Sequence, residues 1–128
     1  MVKWTEYREI ARERGALALE LYVVFSTPSN GPEKVKENLL AHLAYQRKME
    51  EDGTLVLAGP LSDETGVEMQ GAGLIIYRAS SMAKAHRYAE DDPMHKMGAR
   101  DFKLRKWLIN EGSLTVDVKL STRLAKLI

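Results

Sequence analysis

The segment LALELYVVFS, residues 17–26, is apolar on both of its faces. Leu17, Leu19, Leu21, Val23 and Phe25 alternate to one side, and Tyr22 and Val24 make the other side apolar as well. A strand of this kind belongs in a sheet whose two faces are both covered, so the chain must supply, or recruit, a layer on each side.

The remaining segments are read by their periodicity. Trp4, Tyr7, Ala11 and Arg14 recur at helical spacing, which predicts a short helix over 4–14 ended by Gly15. TPSNGP then breaks the chain, and Asn30 followed by Glu33 resembles a capping box opening a long helix from about 32 to 51. Its apolar stripe, Val35, Leu39, His42/Leu43, Gln46 and Met49, turns His42 inward. TLVLAG (54–59) and GAGLIIYR (71–78) read as strands joined by PLSDETGVEMQ, a connection long enough to overhang a pocket. The glycines of GAG precede a strand, not a helix, so they mark a bulge or a close backbone approach instead of a phosphate cradle. Residues 80–91 return to helical spacing with Met82, Ala85/His86 and Ala89 inward, and Pro93 disfavours helical backbone at Asp92. DFKLRKWLI (101–109) is a last core strand, with Phe102, Leu104 and Leu108 on one face. In the tail, Leu114, Val116, Val118 and Leu120 alternate, which predicts a fifth strand on a sheet edge, and Leu120, Leu124 and Leu127 then fall in helical register.

The order β-α-β-β-α-β specifies an α+β, ferredoxin-like sandwich with both helices on one sheet face. The expected organisation is one domain over 1–128: a core of about 17–112, the helix 4–14 in front of it, and a strand/helix extension over 113–128. The uncovered face is expected to carry Tyr22, Val24, Val56 and part of LIIY, a patch that a second copy of the chain would cover. That homodimer, or a higher assembly, places Val24 at its interface.

Charge narrows the partners. Nineteen basic and eighteen acidic residues give +1, interspersed along the chain, which argues against nucleic acid or a membrane surface. The third strand also offers only Tyr77 where an RNA-binding sheet of this topology needs stacking aromatics. The absence of cysteine leaves no disulfide, thiolate nucleophile or Cys-based zinc site and suits a reducing compartment, so the expected location is cytoplasmic. The N-terminus carries charges where a signal peptide would be apolar, and the longest apolar runs fall far short of a membrane span.

Among polar residues, His42 and Asp91-Asp92-Pro93 form the most informative constellation. Imidazole exchanges protons near neutral pH, and a carboxylate fixes its tautomer and stabilises its charged form. The same residues also read as a core histidine and as an N-cap, Asp92, before Pro93 at the first position of a new turn. Two carboxylates at a helix C-terminus oppose its dipole, which favours a functional reading. His42, His86 and His95 lack metal-site spacing, so no metal is expected, and Arg105 is a candidate anion contact.

The strand ending LYVVF, the helix segment AHLAYQRKMEEDG, LVLAGPL, the strand entered from GAG, AEDDP and FKLRKWL together resemble the YCII-related family, over roughly residues 17–112. The resemblance implies a dimeric α/β barrel with a pocket in each subunit, in which His42 and Asp92 are the matching polar pair. It further implies cofactor-independent proton transfer of a lyase, dehydrochlorinase or isomerase kind on a small, aromatic-derived molecule. The pocket set is completed by Tyr22, Ser26, Tyr45, Gly59, Pro60 and Arg105. A rival of another class remains open: a non-catalytic dimer that binds or senses a small ligand in the same pocket.

Overall fold

The computed structural model describes residues 1–128, in two compact units: Glu20–Trp107, and Met1–Leu19 together with Leu108–Ile128. The larger unit holds α2 (Gly31–Glu51), β2 (Leu55–Pro60), β3 (Gly73–Tyr77), α3 (Met82–Asp91), the single turn α4 (Pro93–Lys96), and all but the outer ends of β1 (Leu19–Pro28) and β4 (Arg100–Ile109). The sheet order is β2-β3-β1-β4, and β3 pairs antiparallel with both β1 and β2. This is the strand order of the ferredoxin-like sandwich.

The two faces of β1 are exchanged relative to the sequence reading. Tyr22 and Val24 lie opposite Tyr77 and Ile75 of β3 and pack with Met49 of α2 and Ala85 and Ala89 of α3 in the hydrophobic core. They are buried beneath the helices, not offered to a partner. A strand apolar on both faces carries no parity signal, so alternation could not say which face the helices would take. The other face carries Leu21, Val23 and Ile76, which are buried, and Phe25, Leu57 and Trp107, which remain 41%, 59% and 45% exposed. Val56 lies at a bulge where the β2–β3 register shifts. The bulge therefore falls in β2, not at GAG, where the close approach is found instead: a Cβ at Gly71 would meet Pro28 Cγ at 2.9 Å, and φ there is +95°.

Helix ends differ from expectation in one place. Asn30 does not cap α2 with its side chain; its amide donates to the Gly98 carbonyl, and Pro32 in the first turn removes a donor that would otherwise need a partner. At α3 the cap is Ser81, which accepts from the Lys84 N–H at 3.1 Å.

In the smaller unit, α1 (Trp4–Glu13) is followed by Gly15 at φ +88°. The tail departs from the expected edge strand and terminal helix. Val116–Val118 (β5) pairs antiparallel with Ala125–Leu127 (β6) as a separate two-stranded sheet. The turn between them places Arg123 at φ +59°, and the local hairpin satisfies the alternation without borrowing an edge of the main sheet. No helix of the chain is long and apolar enough to cross a membrane.

Candidate functional site

The stripe of α2 predicted to enter the core lines a cavity instead. Val35, Leu39, His42, Leu43 and Gln46 form one wall of a space of about 820 Å³ whose floor includes Ser26, Ala58, Ile75 and Gly73 of the sheet. Only Met49, at the C-terminal end of the stripe, is buried in the core. The β2–β3 connection contributes Met69 to Ala72 at the rim. Asp63 shapes that loop by accepting from Thr65 Oγ1 at 2.7 Å and from the Thr65 N–H at 3.1 Å, bonds to its ionised form that hold its pKa below the usual value.

Asp92 reaches the site because Pro93 follows it. The proline disfavours helical backbone at the preceding residue, and Asp92 adopts φ −61°, ψ 124° between α3 and α4. Its side chain turns inward, fully buried, and accepts from the Met94 N–H at 3.0 Å. Both carboxylate oxygens also lie on His42 Nδ1, at 2.8 and 2.9 Å. The two sequence readings of Asp92 are thus one structure: the cap of α4 fixes the carboxylate that meets the histidine. Since the carboxylate accepts, Nδ1 carries the proton and Nε2 of the neutral ring presents a lone pair. Gln46, one helical turn along α2, places its amide nitrogen 3.0 Å from that Nε2, which leaves Gln46 Oε1 buried without a partner.

A second polar chain occupies the opposite side. His95 Nδ1 lies 2.7 Å from the Ala89 carbonyl, an acceptor only, so the proton sits on Nδ1. Nε2 must then accept, and Ser26 Oγ donates to it at 2.8 Å. Ser26 in turn accepts from Arg100 Nε at 2.8 Å, and Arg100 Nη2 donates to the carbonyls of Ser26, at 2.9 Å, and Gly71. Burial lowers the His95 pKa, against the Ala89 hydrogen bond and the Asp92 charge, which raise it.

The tyrosines are not bases here. Burial first, then nearby aspartate charge, raises the pKa of both Tyr45 and Tyr77, and the Tyr45 hydroxyl donates to the Tyr88 carbonyl at 2.7 Å.

Of the residues predicted for the site, His42, Ser26, Gly59 and Pro60 line the cavity, and Asp92 supports it from behind. Tyr22 and Tyr45 belong to the core and its margin. Arg105 lies on the other sheet face, its guanidinium 6.0 Å from the centroid of Phe25, because strand alternation sets it with Lys103 and Trp107. The cavity's arginine is Arg100, which shares its face with Phe102 and Leu104. That was the missed signal: a charged residue in phase with the core positions of its own strand. Gln46, a polar residue on an apolar stripe, carried the same kind of signal. No three His, Asp or Glu side chains converge as a metal site.

A small ferredoxin-like unit with a histidine-lined cavity between its long helix and its sheet defines the class of protein. The chain belongs to the YCII-related family, whose domain matches residues 20–108. Among solved structures it is similar to 5-chloro-2-hydroxyhydroquinone dehydrochlorinase (TftG) from Burkholderia phenoliruptrix AC1100, in complex with 2,5-dihydroxybenzoquinone. The identity is 25% and the TM-score 0.57, over 68% of this chain and 92% of that one. No curated protein matches the chain.

Proposed function

We propose that the protein is a cofactor-independent enzyme of lyase or isomerase type, in which His42 moves a proton of a small, ring-derived substrate and Asp92 orients and charges the ring. The observation that carries this reading is the Nδ1–carboxylate pair at 2.8 and 2.9 Å, with Nε2 at a cavity wall and facing the Gln46 amide. A substrate C–H or O–H takes the place of the Gln46 amide at Nε2 and gives up its proton. The electron pair it leaves behind either expels a leaving group from the neighbouring carbon, as in loss of chloride, or shifts a double bond, with the proton returned elsewhere. The imidazolium so formed is held by a buried carboxylate, whose attraction is little screened there. Rotation of the Gln46 amide then turns Oε1 to the new Nε2–H, giving that orphaned oxygen its partner. The resemblance to a dehydrochlorinase and its quinone ligand supports a substrate of this size and polarity.

The test follows the proton. Deuterium uptake from D₂O into acidic C–H positions of cyclic enols, and chloride release from 5-chloro-2-hydroxyhydroquinone, are expected with the wild type. They should fall by about 10²–10⁴ in His42→Asn, which keeps a donor toward Asp92 but has no base. Full activity in that variant would sink the proposal. Binding without exchange across all probes would favour the ligand-binding rival, for which the occupied Nε2 of His42 is the supporting observation.

We further infer a homodimer through the face of Phe25, Leu57 and Trp107. Phe25→Glu is expected to give a folded monomer in sedimentation, whereas a monomeric wild type at micromolar concentration contradicts it.

A further inference from the structure

The geometry points to Arg100 as the cavity's anion-binding residue, and with the ring-derived substrate proposed above the ligand is a small cyclic acid bound through a delocalised oxyanion, an enolate or phenolate. Arg100 is the one residue lining the cavity that carries a full charge at neutral pH; the remainder is largely apolar, with Val35, Leu39, Ile75 and Met94 among the walls. It has no carboxylate partner. Its Nε and Nη2 are committed to Ser26 Oγ, the Ser26 carbonyl and the Gly71 carbonyl, all neutral groups, and Nη1 makes no hydrogen bond to the protein. A partly buried guanidinium satisfied on one edge and unneutralised on the other is a site for an external oxyanion.

The supporting chain directs the site. The Ala89 carbonyl fixes the His95 tautomer, His95 takes the Ser26 proton, and Ser26 accepts from Arg100. Every hydroxyl and ring proton in that chain is therefore already used, so an anion has Nη1, and not Ser26 or His95, to pair with. Arg100 remains charged although burial lowers its pKa, the more so because the Asp92 charge acts in the opposite sense. With Arg100 on the sheet side and His42 on the helix side of one space, the ligand's charged oxygen is held apart from the atom that loses a proton. Oxyanion binding is independent of catalysis and rests only on the reading of this cavity as the ligand site.

The test compares 2,5-dihydroxybenzoquinone, whose hydroxyls ionise at neutral pH, with 2,5-dimethoxybenzoquinone, which has the same ring and no acid, by calorimetry. The wild type should prefer the acid by about 10- to 100-fold, and Arg100→Met should abolish that preference, so that acid and ether bind alike. Arg100→Lys, which keeps the charge and loses the fork, should retain part of it. If Arg100→Met is unfolded by near-UV circular dichroism, the wild-type ratio and the lysine variant decide. Equal affinity of the wild type for acid and ether, or an undiminished preference in either folded variant, overturns the inference. Benzoate separates a carboxylate from an enolate site: benzoate binding as tightly as the hydroxyquinone contradicts the ring-oxyanion assignment. Loss of turnover in a variant that keeps the acid preference bears on the proposed chemistry alone.

Discussion

Two histidines in this unit have the same protonated nitrogen and opposite prospects. His42 gives its Nδ1–H to the buried carboxylate of Asp92, whereas His95 gives its own to the backbone carbonyl of Ala89. A carbonyl fixes a tautomer and, carrying no net charge, stabilises a protonated ring less than a carboxylate does. A carboxylate fixes the tautomer and also stabilises the ring once it gains a proton. The environment of Nε2 differs in the same sense: around His42 the partner is an amide able to present either N–H or oxygen, while around His95 it is a serine whose lone pair already faces a guanidinium. In the proposed chemistry the first ring takes up and releases a proton, while the second holds its tautomer and passes orientation to Arg100.

Within this comparison the larger effect comes from erasing that difference. Asp92→Asn keeps an oxygen for His42 Nδ1–H, and asparagine caps a helix about as well as aspartate, so the Met94 N–H retains its acceptor and α4 its start. What disappears is the negative charge, which gives His42 the neutral setting that His95 already has. Proton exchange measured as above should drop well over tenfold, and by less than in His42→Asn, with the fold retained by circular dichroism. Unchanged exchange in Asp92→Asn would show that orientation alone suffices and that the contrast between the two histidines has no catalytic meaning.

How much of this was legible before the structure depends on the type of signal. Pro93 announced a break that would leave Asp92 outside the helix, and the α2 stripe placed His42 on its inner side; both are local rules with steric causes, and both hold. The strand order followed from the succession of elements. The face of β1 did not, because Tyr22 and Val24 are as apolar as Leu21 and Val23, and parity is set by which face the helices take. The tail failed for a related reason: alternation from Leu114 to Leu120 states that a strand exists and says nothing of its partner, which is the chain's own last residues. The sequence reading offers Arg105 and not Arg100, because a basic residue in a strand names a charge but not a side of the sheet. His95, considered only as a metal ligand, owes its role to a carbonyl six residues earlier, a backbone contact that side-chain patterns do not reveal.

A smaller effect probes the neutral partner. Because burial, outweighing the Ala89 hydrogen bond and the Asp92 charge, depresses the His95 pKa below its ordinary 6.5, the unfolded chain takes up a proton at a higher pH than the folded one does. Between the two pKa values the unfolded state binds more protons, so stability rises with pH there. The stabilisation of neutral His95 is fully present above about pH 6.5 and declines as the pH falls through the window beneath it. In His95→Gln that titration is absent. The wild type should therefore lose more thermal stability than the variant on going from pH 7 to pH 5, while other acidic groups contribute alike to both. Ring ¹⁵N shifts supply the direct readout: at pH 7 His95 should show a protonated Nδ1 and an unprotonated Nε2, with a titration midpoint below 6.5. A midpoint at or above that value, or the opposite tautomer, would mean that the Ala89 carbonyl does not set the ring. The chain of directed bonds from Ala89 through Ser26 to Arg100 would then lose its starting point.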